Sequence, residues 1–107
     1  MKKDQSYLST IQWYNLYYAL EAVNKIFYKK HYLVGSAMTR KDFRDVDIRT
    51  VMPEEGLLDS EFARKSMSMW ISEWLSSRTQ MTIDYQIQTQ KEFNNESGPS
   101  MVIGESI

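Results

Sequence analysis

Residues 45–51 read Asp45-Val46-Asp47-Ile48-Arg49-Thr50-Val51 and begin with a strict alternation of polar and apolar side chains. Side chains of a β-strand alternate between its two faces, so the two aspartates and Arg49 share one face. Val46 and Ile48 occupy the opposite face, where they can enter a core. Strand geometry separates the Cβ atoms of Asp45 and Asp47 by about 7 Å. The stretch therefore predicts a strand with one polar and one buried face.

A second alternation covers residues 81–88, Met81-Thr82-Ile83-Asp84-Tyr85-Gln86-Ile87-Gln88. It places Tyr85 on the apolar face and Asp84 on the polar face. If the two strands are neighbours, Asp84 lies across from the acidic pair, within reach of a common ion. Three clustered carboxylates repel one another, which raises their pKa values and destabilises the fold. A divalent cation removes this repulsion. Oxygen ligands suit Mg²⁺ or Mn²⁺, so Asp45, Asp47 and Asp84 are the expected metal ligands.

Two longer segments predict helices. The first, from about Ser6 to Lys30, has no Gly or Pro, and its expected buried stripe is Leu16, Ala19, Leu20, Val23, Ile26 and Phe27. Asp59 is the expected N-cap of the second, which should continue to about Ser77. The expected buried face of this second helix is Ala63, Met67, Trp70, Ile71 and Trp74.

The remaining segments complete an α+β fold. Residues 31–34 predict a short strand, and residues 37–44 a loop or short helix. Pro53 to Gly56 predicts a turn, and residues 89–107 predict a loop-rich segment in which residues 101–103 dock on the body or form an edge strand. We expect one domain over residues 1–107, with its core at about 6–88. Its architecture should be a small mixed β-sheet with helices packed on one face.

The composition excludes several kinds of chemistry. The 107 residues include no cysteine, which excludes disulfides, thiolate nucleophiles and thiolate metal sites. His31 is the single histidine, which excludes a multi-histidine zinc site; at a helix–strand junction it is expected to cap or pack, and no catalytic role is assigned to it. No apolar run reaches the roughly 20 residues of a membrane span, and the N-terminus lacks the apolar segment of a signal peptide. We expect a cytoplasmic protein with no membrane contact.

Charge is balanced over the chain but not along it. The 13 basic and 14 acidic residues give a net charge of -1, which argues against a general nucleic-acid binder. More than half of the basic residues lie between Lys25 and Arg49, so a local nucleic-acid patch stays open. Three of them, Arg40, Lys41 and Arg44, lie between Gly35 and the acidic pair. Positive charge beside metal ligands is what phosphates that bridge a metal require.

These stretches together resemble the DNA polymerase β-like nucleotidyltransferase superfamily, in particular its minimal members. The matching residues are Leu33-Val34-Gly35-Ser36, Arg44-Asp45-Val46-Asp47-Ile48 and Thr82-Ile83-Asp84-Tyr85. The similarity covers roughly Tyr32 to Gln88, over half of the chain. Residues 83–88 also resemble small nucleotidyltransferase-like proteins met in bacteriophage genomes.

The resemblance implies transfer of a nucleoside monophosphate from an NTP to an unidentified acceptor hydroxyl. It implies that Gly35 and Ser36 contact the triphosphate, with Arg40 as a further phosphate contact. It also implies that Asp45 and Asp47 bind the metal ions. Asp84 would complete the site and help to deprotonate the acceptor.

A second interpretation is a non-catalytic binding module of the same fold that engages a protein partner. The aromatic-rich first helix is its expected contact surface, for a partner or for a second copy of the chain. This interpretation predicts sensitivity to changes at aromatic residues such as Trp13 or Tyr17 and insensitivity to loss of Asp45.

Overall fold

The computed structural model describes residues 6–26, 30–52, 60–96 and 98–103. Within these ranges the chain forms four helices and four strands. In chain order they are α1 (Thr10–Asn24), β1 (His31–Val34), α2 (Ser36–Thr39), β2 (Asp45–Val51), α3 (Glu61–Thr79), β3 (Thr82–Gln88), α4 (Gln90–Asn94) and β4 (Met101–Ile103). The expected α+β fold with a mixed sheet is confirmed.

The four strands form one sheet in the order β3-β2-β1-β4. β1 pairs antiparallel with β2 and with β4, whereas β2 and β3 are parallel. The parallel connection is made by α3, since parallel strands need a crossover and cannot be joined by a tight turn. The two alternating stretches are therefore neighbours, which meets the condition under which Asp84 lies across from the acidic pair.

The buried apolar side chains of α1, α3 and the strands form one core cluster on one face of the sheet, and α3 contacts both α1 and β3. This core contains the apolar side chains of β2 and β3, and Tyr85 is among them with 1% of its surface exposed. Phe93 of α4 lies against the ring of Tyr32 on the opposite face of the sheet, with 4.8 Å between ring centroids. Among the described residues, no helix combines the length and apolar character needed to cross a membrane.

The first helix is shorter than predicted. It begins after Ser9, whose hydroxyl accepts the Gln12 amide while the Gln12 side chain accepts the Ser9 amide, a capping box. It ends at Asn24, and Ile26 of the expected buried stripe is 67% exposed, so that assignment was wrong. The remaining stripe is confirmed except for Phe27, which lies outside the described residues.

The buried face of α3 differs from the prediction. Trp70 is 60% exposed and Trp74 39% exposed, so their assignment to the core was wrong. The buried positions are Arg64, Ser68, Ile71, Leu75 and Thr79. Ser60, and not the expected Asp59, is the N-cap of the helix, and its hydroxyl accepts a hydrogen bond from the Ala63 amide. Asp59 and the turn at Pro53–Gly56 lie outside the described residues.

Hydrogen bonds from β3 to three serines explain why α3 buries a different face from the one predicted. Ser68, Ser72 and Ser76 recur every four residues and face β3, which lies at one edge of the sheet. Their hydroxyls accept the backbone amides of Ile87, Tyr85 and Ile83 at 2.9, 2.8 and 2.9 Å, respectively. The outward amides of an edge strand need partners when they are covered, and the serines supply them.

The C-terminal segment is more ordered than the predicted loop. It contains α4, capped by Thr89, and the edge strand β4, which pairs with β1 from Leu33↔Met101 to His31↔Ile103. Ile103 is 1% exposed and belongs to the core. The edge-strand alternative is therefore confirmed, and the core extends beyond the predicted limit of residue 88.

Candidate functional site

The predicted acidic residues occupy one face of the parallel pair. In the β2–β3 register Asp47 is directly opposite Asp84, and Asp45 is opposite Thr82. Adjacent strands lie about 4.8 Å apart, and side chains in register point to the same face. Asp45 is exposed and Asp47 half-buried, while the Asp84 side chain is 46% exposed. The structure therefore places the three aspartates on one face of the sheet, opposite the buried face.

Gly35 packs directly on Asp47. It follows Val34, the register partner of Asp47, and it caps α2 with φ 76° and ψ -154°, a conformation open mainly to glycine. A Cβ atom at position 35 would lie 3.0 Å from Asp47 Cγ and 3.2 Å from Asp47 Cβ, and closer still to Oδ2. Gly35, which the resemblance assigns to the triphosphate, thus allows close approach of the chain to the Asp47 carboxylate.

The Asp47 carboxyl lies in a half-buried setting with charged neighbours. Burial raises the pKa of this carboxyl, and the negative charges of Asp84 and Asp45 raise it further. The Arg49 guanidinium acts in the opposite direction. A carboxylate in this environment gains stability from any cation that approaches it.

Arg49 is a site residue whose role the sequence did not indicate. Its side chain is only 9% exposed, and its Nε donates to Glu96 Oε1 at 3.1 Å. Its Nη2 lies 3.6 Å from Asp84 Oδ2, and Nη1 donates to the Asp84 carbonyl at 3.0 Å. Alternation correctly predicted that Arg49 shares the face of the aspartates. Glu96 is 47 residues away and gave no sequence signal.

These residues are of the type that binds a metal ion, but their side chains are not arranged as a ready metal site. Carboxylate oxygens are the ligands that Mg²⁺ takes, and the aspartates are close enough to affect the pKa of Asp47. Within the described ranges, however, no three acidic or histidine side chains are grouped closely enough to hold a metal ion. Asp84 instead accepts a hydrogen bond from Gln86 Nε2 at 3.1 Å and faces Arg49. Asp45 and Asp47 lie on the same face of β2, and Asp84 already interacts with Arg49 and Gln86.

The predicted phosphate contacts differ in their surroundings. Ser36 is half-buried and opens α2, directly after Gly35. Arg40 is exposed and donates from Nε and Nη2 to the two carboxylate oxygens of Asp42, both at 3.0 Å. This pairing lowers the pKa of the Asp42 carboxyl through the hydrogen bond and the charge of Arg40. Arg40 must leave Asp42 before it can bind a phosphate with the same atoms.

Two open depressions lie beside the β2–β3 pair, and the residues that line them include neither Asp45 nor Asp47. A groove of about 560 Å³ beside Asp84 and Gln86 is bounded by α3 residues, including Lys65. A cleft of about 740 Å³ at the amino ends of β2 and β3 is lined by Lys41 and Arg44. Both volumes are in the range of small-molecule sites.

His31 has the packing role expected of it. It is fully buried, and its Nε2 lies 3.1 Å from the Tyr85 hydroxyl, with which it shares a hydrogen bond. Burial lowers the pKa of His31 to about 4, so the ring is neutral at physiological pH. It lies on the core face, away from the aspartates, as does Trp13, which is 1% exposed and not the surface aromatic that the binding-module interpretation expected.

Comparison of the chain with protein-family models, with curated proteins and with solved structures finds no match.

Proposed function

We propose that the chain is a Mg²⁺- or Mn²⁺-dependent nucleotidyltransferase that moves a nucleoside monophosphate from an NTP to an acceptor hydroxyl. The observation that carries the proposal is the register of Asp47 opposite Asp84, with Asp45 on the same face and Gly35 packed against Asp47. It supports the arrangement that the sequence resemblance implies.

In this reaction the residues have separate tasks. Asp45 and Asp47 would hold the divalent cation, which when bound would supply positive charge to the triphosphate and the leaving pyrophosphate. Gly35 and Ser36 contact the triphosphate, and Arg40 adds a phosphate contact after leaving Asp42. The acceptor oxygen attacks the α-phosphorus, the bond from that phosphorus to the pyrophosphate oxygen breaks, and Asp84 accepts the proton of the acceptor hydroxyl.

Transfer of label from α-labelled NTPs tests this proposal, with Mg²⁺ present and a cell extract as the source of acceptors. Asp47→Asn keeps the size of the side chain and removes its charge, so we expect label transfer to fall roughly hundredfold. Glu73→Gln, on the exposed side of α3, makes the same kind of change away from the site and should leave transfer unchanged. Transfer that persists in the Asp47→Asn protein would show that this site is not responsible.

A non-catalytic binding module is the second candidate, and one surface favours it. Tyr18 of α1 is 63% exposed and Trp70 of α3 60% exposed, and a groove of about 510 Å³ between the two helices is lined by Tyr18 and Trp74. Exposed aromatic side chains on adjoining helices are typical of protein contacts. This function predicts a partner, or a second copy, whose binding is lost in Trp70→Ala and kept in Asp45→Ala.

A further inference from the structure

The groove between α3 and β3 contains a buried side-chain oxygen that has no hydrogen-bond partner. Gln88, the last residue of β3, lines this groove of about 560 Å³ and is 8% exposed. Among the described residues, its Oε1 is the one buried side-chain oxygen or nitrogen without a hydrogen-bond partner. A buried acceptor that has lost water and gained no donor destabilises the fold. The oxygen therefore points to a donor that a ligand would bring into the groove.

Two side chains of opposite charge lie at the same end of the groove. Ser68 of α3 accepts the Ile87 amide, so Arg64, one helical turn earlier, lies beside the end of β3. Arg64 is 8% exposed, and its Nε is 3.9 Å from Glu92 Oε1, which is beyond hydrogen-bond distance. Both side chains line the groove together with Gln88. This end of the groove thus presents a cation, an anion and an acceptor that lacks a donor.

An α-amino acid matches all three groups. Its carboxylate can accept from Arg64, because the planar guanidinium fork fits a carboxylate. Its ammonium group has three donors and no acceptor, so it can donate to both Glu92 and Gln88 Oε1. A simple anion brings no donor for the Gln88 oxygen, and a simple amine brings no acceptor for the guanidinium.

We propose that the groove between α3 and β3 binds a free amino acid with a polar side chain. The carboxylate and ammonium groups of an amino acid fill only part of the volume, and the groove continues along β3 past Gln86 and Asp84. A polar side chain of the ligand fits this polar extension. The inference goes beyond the proposed nucleotidyl transfer, since this binding needs neither a metal ion nor an NTP.

Titration of the ¹⁵N-labelled protein with L-glutamine, followed by nuclear magnetic resonance, tests the inference. EDTA is present throughout, so no divalent cation contributes and the result is independent of the proposed metal site. We expect saturable shifts of the Gln88 side-chain amide signals, with a Kd on the order of 1 mM. The absence of saturable shifts at about 50 mM L-glutamine would overturn the inference.

Two ligand analogues test the charge pattern on the unmodified protein. N-acetyl-L-glutamine lacks the ammonium group, and L-glutaminamide lacks the carboxylate. Each should bind roughly tenfold more weakly than L-glutamine, because each leaves one charged side chain of the groove without its complement. Equal affinity for the three compounds would contradict recognition of an amino acid.

Gln88→Met removes the acceptor and keeps the length of the side chain. We expect roughly tenfold weaker L-glutamine binding, measured on the backbone signals of the groove. Gln90→Met makes the same change at an exposed position outside the groove lining and should leave binding unchanged. Because the Gln88 oxygen has no partner in the free protein, Gln88→Met should be at least as stable as the unmodified protein. Lower stability or unchanged binding in Gln88→Met would assign Gln88 a structural role and overturn the inference.

Discussion

Asp47 and Asp84 are register partners in the parallel pair formed by β2 and β3. Like charges directly opposite in a sheet destabilise it, so this pairing needs compensation. Arg49 supplies part of it, since it lies 3.6 Å from Asp84 and lowers the pKa of Asp47 against the effect of burial. A bound cation would reduce the repulsion between Asp47 and Asp84 that Arg49 leaves uncompensated.

Gly35 provides the first prediction, because both its backbone and the space around it require glycine. Gly35→Ala should lower the free energy of unfolding by about 2 kcal/mol through backbone strain, and by more through collision with Asp47. Gly98→Ala is the matched control, since Gly98 also has a positive φ, 98°, but nothing lies within 4 Å of an added Cβ. Urea denaturation of both variants measures the difference. Equal destabilisation of the two would contradict the packing of Gly35 on Asp47.

His31 provides a pH prediction. Burial lowers the pKa of His31 from 6.5 to about 4, so between these values the unfolded chain binds a proton that the folded chain does not. The stability that depends on neutral His31 is present above pH 6.5 and is lost as the pH falls toward 4, by up to about 1.4 kcal/mol per pH unit. Stability measured from pH 7 to pH 4 should fall less steeply in His31→Gln. Parallel curves for the two proteins would rule out this contribution.

The serines that face β3 provide a prediction about the sheet edge. The Ser72 hydroxyl accepts the Tyr85 amide at 2.8 Å and donates to the Tyr85 carbonyl at 3.1 Å. Ser72→Ala leaves both groups without this partner and should destabilise the protein by about 1–2 kcal/mol in chemical denaturation. Ser77→Ala, on the exposed side of the same helix, should change stability by less than about 0.5 kcal/mol. The reverse ranking would disprove the edge-covering role of the serines.

The tryptophans should divide into a core residue and a surface residue. Trp13 is 1% exposed, so Trp13→Ala should destabilise the fold by about 3–5 kcal/mol. Trp70 is 60% exposed, and Trp70→Ala should change stability by less than about 1 kcal/mol. Thermal denaturation compares them, and sedimentation of the Trp70→Ala protein tests for loss of self-association. A large destabilisation by Trp70→Ala would place that side chain in the core after all.

The sequence predicted the strands better than the helices, for a physical reason. Residues 45–51 and 81–88 alternate with the period of a strand, and the observed strands begin within one residue of these stretches. The buried face of α3 could not be predicted from hydrophobicity. Ser68 and Ser72 face inward because they accept hydrogen bonds from backbone amides of β3 that have no neighbouring strand to pair with. A polar side chain with a buried partner is invisible to a hydrophobic pattern.

In the candidate site, too, the local features could be predicted from the sequence and the long-range contacts could not. Local alternation placed Asp45, Asp47 and Asp84 on a common face, and the parallel pairing of β2 with β3 made them neighbours. The Arg49–Glu96 ion pair joins residues 47 positions apart, and it depends on α4, which the sequence predicted as loop. An ion pair between residues so far apart in sequence can be identified only in the folded structure.

Calorimetric titration with a non-hydrolysable NTP analogue, in the presence and absence of Mg²⁺, tests the central claim most directly. The claim predicts Mg²⁺-dependent binding to the unmodified protein and to Glu73→Gln, with loss of that binding in Asp47→Asn and Asp84→Asn. Binding that is independent of Mg²⁺, or that is unchanged in Asp47→Asn, would contradict the assignment of this face as a metal–nucleotide site.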